Sequence, residues 1–438
     1  MKRAFVTHIK HRCVTPLYGI PLLNFFSLLI PLILLIPVHT NAQTMHLDEI
    51  LDSIQQSNPS VKMYNANVQS MDAAAKGARS WMAPEISTGL WMVPYNINLW
   101  KANNGVTGMG QYMISGEQMF PNKKYNDANE AYMNAMSASE KENKNAALNE
   151  LYATAKNNYY EWVILIKKLK LLDEDEKLLQ LMLKNAETRY KNGLEKISAY
   201  YKVKAEIGNI QSMRIMFQND VAQKRIALNT MMNRNSNTDF SIDTVYSIKD
   251  YSAEVYDTTL FYTNRSDIKS IDKNIQLTYL KQQVERADLK PQFGIQYAHM
   301  FGFGGLPMQF TLMGMVKIPM AKWSSKMNKA NIESLKWQGV ALEDQKDMLV
   351  NQYTGMAESM RAEIISRQKQ LQLFQNDIIP ALKKNYQSMQ LGYEQNTEDL
   401  FMLYDAWNTL NETQMNYFDQ VQQLLALQVE LERILEIK

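Results

Sequence analysis

From Asn122 to Asn192 the chain runs for about 70 residues without one proline or glycine, and it is rich in Ala, Leu, Lys, Glu, Asn and Met. Such residues favour helix, and at 1.5 Å per residue a helix of that length reaches roughly 100 Å. That far exceeds an ordinary globular helix. A second run of similar length goes from about Ala321 to Gly392, with Gly339, Gly355 and Pro380 as expected soft points.

Both runs end in related text. RYKNGLEKISAYYKVKAEI (189–207) aligns with LGYEQNTEDLFMLYDAWNTL (391–410) at an offset of about 203, placing Tyr190 on Tyr393, Glu195 on Glu398 and Tyr201 on Tyr404. A shorter amphipathic helix follows each break. In the last one Leu400, Leu403, Trp407, Leu410, Tyr417, Val421, Leu424, Leu427, Leu431 and Leu435 form the apolar stripe.

Ahead of each long run the period changes from 3.6 to two. Strands are expected at about 84–98 and 108–120, and again at about 291–304 and 307–319. Tyr112, Ile114 and Phe120 alternate with Gln111, Ser115 and Glu117, while Phe310, Leu312, Val316 and Ile318 alternate with Gln309, Thr311 and Lys317. Met113, Met313 and Met315 fall on the polar side of that alternation. Trp91, Tyr95, Trp100, Phe301 and Phe303 sit near the hairpin tips, where an interfacial aromatic belt is expected. Further upstream, residues 58–84 and 265–291 are matched helical segments, with Val61 and Ile268 each 23 residues before the proline that opens a hairpin.

The chain therefore divides into a leader (1–42), a first repeat (43–233), a polar connection (234–259) and a second repeat (260–438). The leader has the order of a secretory signal: Lys2, Arg3, Lys10 and Arg12, an apolar run from about Leu17 to Val38, then small residues near Ala42. An uncleaved anchor is the alternative, which Pro16, Pro21, Pro31 and Pro37 disfavour. Without those four cations the formal charge goes from +2 to −2, so nucleic acid is not implied. The single cysteine, Cys13, lies in the leader, which excludes disulfides, cysteine-ligated metals and cysteine nucleophiles from the rest. No phosphate loop, nucleophile elbow or zinc-protease motif is present, and the reading is of a non-enzyme without cofactors.

Helix, two strands, very long helix, turn and return helix, given twice behind a signal peptide, resembles the TolC family of outer-membrane efflux proteins. The family's Tyr-x-x-Gly turn is kept as Tyr190 and Gly193 in the first copy; the second has Tyr393 but Asn396 in place of glycine, followed by Leu400, Leu403 and Ala406. The resemblance implies a mostly helical fold with a small β part, and a homotrimer whose twelve strands close a barrel continued by an α-helical tunnel. It implies an outer-membrane duct with a large periplasmic part, in a tripartite efflux or type I secretion system. The expected partners are outer-membrane lipid, a periplasmic adaptor and an inner-membrane pump. The adaptor would dock on the tip turns at Tyr190, Asn192, Gly193, Tyr393 and Asn396. Two aperture positions of the family fall on Met402 and Asp405, of which only the second is acidic. Three Asp405 carboxylates on one axis would attract cations; the alternative is that Asp405 pairs with a lysine on a neighbouring helix. A secreted coiled-coil or adaptor-type protein is the alternative function. The abundant methionine raises Cu(I) or Ag(I) as an alternative cargo, with no resident metal site expected.

Overall fold

The computed structural model describes residues 44–438; the leader and its cysteine lie outside the described residues. A short strand β1 (Thr44–Met45) leads into α1 (Leu47–Ser57) and α2 (Pro59–Ala75), which Asn58 separates by capping α2 through the Ser60 amide. Strands β2 (Glu85–Trp91) and β3 (Gln111–Phe120) follow. The expected strand to residue 98 stops at Trp91, and a short 3-10 turn (Ile97–Trp100) lies in the loop beyond it.

Helix α3 (Lys123–Lys191) is one unbroken rod of 69 residues, started by the Asn122 side chain accepting from the Tyr125 amide. It turns into α4 (Ile197–Met231). The connection adds β4 (Ser241–Ile242), parallel to β1, so the two ends of the first repeat are tied together. The second repeat gives α5 (Thr258–Asn264), α6 (Ser266–Asp288), β5 (Gln292–Gly302) and β6 (Gln309–Lys317). It closes with α7 (Lys326–Leu373), a π-turn (Phe374–Ile378), α8 (Ile379–Glu394) and α9 (Leu400–Leu435).

Of the three soft points only Pro380 matters: Gly339 and Gly355 lie inside the continuous α7. The π-turn has a readable cause. Buried Val350, Ala357, Ile364 and Leu371 recur every seven residues, the period of a packed helical seam. Tyr386 and Tyr393 resume that spacing one residue out of phase. A π-turn accommodates one extra residue, and so returns the stripe to the same face of the rod. Heptads also mark α3, at Leu165, Leu172, Leu179 and Ala186.

The strands form one antiparallel sheet in the order β2-β3-β5-β6, so the two hairpins meet along β3 and β5. Cross-strand partners share a face. The register gathers Ile86, Leu90, Tyr112, Ile114, Phe293, Ile295, Tyr297, Phe301, Phe310, Leu312 and Val316 on one side. That side is solvent-exposed in the single chain, with Ile86 at 77% and Leu312 at 67%. Among the described residues no helix is long and apolar enough to cross a membrane.

Candidate functional site

Each long hairpin ends in a tight turn whose geometry follows from one residue. Gly193 has φ +71° in the first tip and Asn396 has φ +62° in the second, so asparagine takes the left-handed position that glycine takes in the other copy. Helix α9 then starts on the Asp399 carboxylate, which accepts from the Met402 amide at 3.0 Å. Asn396→Val is expected to cost about 1–2 kcal/mol at this tip, read as faster proteolysis there, while Asn396→Gly leaves it intact.

The two tips are not equivalent. Tyr190 is exposed, whereas Tyr393 is buried, with the Arg189 guanidinium 4.3 Å from its ring centroid and Arg189 Nη1 donating to its carbonyl at 2.9 Å. Tyr393 therefore holds one hairpin to the other with its side chain buried, whereas Tyr190 stands out from the first tip. Asn192 donates to the Thr188 carbonyl and so closes the end of α3.

Above the tips, α3 of the first repeat runs against α9 of the second through a ladder of polar contacts. Asn149 donates to the Arg433 carbonyl, Lys156 meets Glu432 at 2.6 Å, Lys168 meets Asp419 at 2.5 Å, and Trp407 donates its indole N–H to Asp175 at 2.9 Å. Beside the ladder, Lys202 of α4 lies 3.8 Å from the Phe401 ring centroid and 4.3 Å from that of Tyr404, and the Tyr404 hydroxyl donates to Glu206. Burial pushes the Tyr404 phenol above its ordinary range, with the Glu206 charge adding to it.

Asp405 and Met402 are both exposed on α9. Asp405 enters no ion pair among the described residues; the lysine pairing considered for it belongs to Asp419, two heptads along. Both side chains therefore point away from the ladder.

At the other end, the polar face of the sheet carries Met113, Met313 and Met315, as the alternation requires. The register adds Met119 and Met300 to them, with Glu117, Gln292, Gln296, Gln309 and Thr311 between. Ser115 is buried on this face. Trp91 is paired with Gln111 and stands on the polar side, so it does not join an aromatic belt. Trp100 and Phe303 stack on each other at 5.5 Å and 13°, locking the two hairpin loops where Gly108 donates to the Gly304 carbonyl. Side chains at those glycines would collide with backbone at 2.3–2.9 Å. Of the aromatics expected in a belt, Phe301 lies on the apolar face and Tyr95 is fully exposed in the loop.

Residues 50–234 match the family described as outer membrane efflux protein. That match covers the first hairpin and its helical arm, and the fold of the whole described chain is that of solved outer-membrane channels. Solved structures of the same fold include the CusC channel, at 13% identity over 91% of this chain and 95% of that one, with a TM-score of 0.72. VceC of Vibrio cholerae is 13% identical over 89% and 95%, at 0.70. The open state of the Neisseria gonorrhoeae MtrE channel is 14% identical over 89% of each chain, at 0.67. No curated protein matches the chain.

The residues at the joints between the two arms that the sequence did not single out are Asp175, Arg189 and Lys202. All three sit on the first repeat and act on the second. A residue that joins two segments some 200 positions apart has no local signature; only the unbroken charge at Asp175, inside the apolar heptad run of Leu172 and Leu179, was visible as an anomaly.

Proposed function

We propose that three copies of this efflux protein join edge to edge, β6 of one to β2 of the next, to close a twelve-stranded barrel in the outer membrane. Repeats 43–233 and 260–438, joined by 234–259, each supply one hairpin and one helical arm. The helices carry the barrel on as a duct across the periplasm. The observation that carries this reading is the four-stranded sheet with an exposed apolar face, a polar opposite face and two open edges. Open edges cannot persist in lipid, where no water satisfies them, so other chains must complete the sheet. A secreted coiled-coil or adaptor-type protein has no use for such a sheet.

The duct is passive. An inner-membrane pump delivers substrate through a periplasmic adaptor that docks on the exposed tip residues Tyr190, Asn192, Gly193 and Asn396, and residues 1–42 direct export. Met402 and Asp405 of three α9 helices narrow the periplasmic mouth. Separating membranes by density and running unheated samples on gels tests the assembly. The expected result is an outer-membrane band at trimer mobility that collapses to monomer on boiling; a soluble periplasmic monomer overturns the reading.

A soft metal ion is the second cargo reading, carried by Met119 and Met315, which meet over Gly294: a Cβ there would lie 2.3 Å from Met119 Sδ and 3.2 Å from Met315 Cε. If it holds, replacing both methionines with leucine makes cells more sensitive to silver without changing tolerance of organic compounds.

A further inference from the structure

Of the five contacts described above between α3 and the second repeat, four leave no buried carboxylate without a cation. The Arg189, Lys156 and Lys168 rungs pair a cation with a carbonyl or a carboxylate, and the Asn149 rung is neutral. Asp175 is the exception. Its side chain is 4% exposed, Oδ1 accepts the Trp407 indole N–H, and Oδ2 is buried without a hydrogen-bond partner.

Among the described residues no cation pairs with it. On its own helix Glu174 adds like charge, while Asp173 and Glu176 turn to Arg214 of α4. Helix α8 brings the phenol of Tyr386 and α9 the indole of Trp407, while Tyr404 lies in the same apolar cluster with its hydroxyl on Glu206 of α4. The surroundings are the apolar cluster of Leu172, Leu179, Ile210, Leu403 and Trp407. An unpaired carboxylate in such a place is costly, whereas the neutral acid keeps the indole bond and gains a donor.

We propose that Asp175 is a positioning residue for the aperture: as the neutral acid it sits at little cost in the apolar contact between α3 and α9, and on losing its proton it becomes a buried charge that loosens that contact. The Met402 and Asp405 positions begin one turn from Trp407 on α9, so loosening this contact frees the helix that carries them. The consequence for gating rests on the duct reading above; the loosening itself does not. Burial holds the Asp175 carboxyl up at about 6, the indole bond lowering it somewhat and Glu174 raising it. A carboxyl held above its ordinary value stabilises the packed state at low pH and ceases to do so as pH rises through about 6. Parting of α3 and α9 returns the group to water and its ordinary 3.8. Linkage then makes opening about tenfold more favourable at pH 8 than at pH 5.

Hydrogen exchange of the full-length protein in detergent, followed at the 400–410 amides and corrected for intrinsic pH dependence, reads the contact whether or not the protein conducts. Wild type is expected to show about tenfold more opening at pH 8 than at pH 5, and Asp175→Asn, which keeps the acceptor but cannot ionise, to show the low-pH level at both. Asp175→Glu restores a pH response. Trp407→Phe, which keeps the ring but removes the donor to the carboxylate, retains the response with its midpoint moved upward. If Asp175→Asn follows pH as wild type does, or if wild type shows no change, the proposal is wrong. Conductance recorded in parallel separates the two readings: exchange that depends on Asp175 with conductance that does not leaves the loosening standing and removes its role in the gate.

Discussion

Leu312→Arg is expected to abolish the proposed heat-sensitive trimer, and Thr311→Arg, its immediate neighbour, to leave it intact. Leu312 is paired across the sheet with Tyr297 on the apolar face, whereas Thr311 is paired with Ala298 on the polar one. A charge near mid-bilayer on a lipid-facing strand costs about 2–4 kcal/mol, and three chains incur it three times over. Ile114→Arg belongs with Leu312→Arg. Ser115→Arg is not a neutral comparison, because Ser115 is buried against the sheet's inner side; Met113→Arg, half-buried on the same face, serves instead. Equal trimer yields from Leu312→Arg and Thr311→Arg, compared on unheated gels, would show that the faces are assigned the wrong way round.

Asp405→Ala is expected to raise single-channel conductance severalfold and to weaken block by divalent cations. The side chain is exposed, lies one turn beyond Met402, and is free of ion pairs among the described residues, so its charge is uncompensated where the proposed mouth would form. Three such charges on one axis concentrate cations and bind a divalent ion more tightly than a monovalent one. Asp419→Ala is a poor control, since it strips the partner from Lys168, a side chain only 10% exposed. Glu187→Ala removes an equal charge at the first tip, where it pairs with Lys191 on the helix surface. Planar-bilayer recordings of the two variants side by side decide the matter: equal conductance and equal block in Asp405→Ala and wild type take Asp405 out of the mouth.

Much of the architecture is legible because it is written in periods. A proline-free run of this length has few alternatives to helix, and the change to period two before each run marks the strands. The caps at Asn122 and Asp399 and the left-handed positions at Gly193 and Asn396 are local chemistry, which a sequence carries openly. What was not legible is pairing across the repeats. Nothing near Tyr393 says that Arg189 will cover it, and nothing near Asp175 says that Trp407 will meet it; those contacts depend on which helix lies beside which. The loop aromatics were misread for the same reason, since Trp100 and Phe303 look amphipathic one at a time and become a stacked pair only when both hairpins are in place.

The π-turn has a mechanical consequence. The 48, 5 and 16 residues of α7, the π-turn and α8 together equal the 69 of α3, yet a wider turn advances less along the axis for each residue it uses. The two arms are bound to the same sheet above and to each other through Arg189 and Tyr393 below. Rods of unequal length fastened at both ends behave like a bimetal strip. Bending toward the shorter arm relieves such a mismatch, which makes the one surplus residue a lever on the second hairpin.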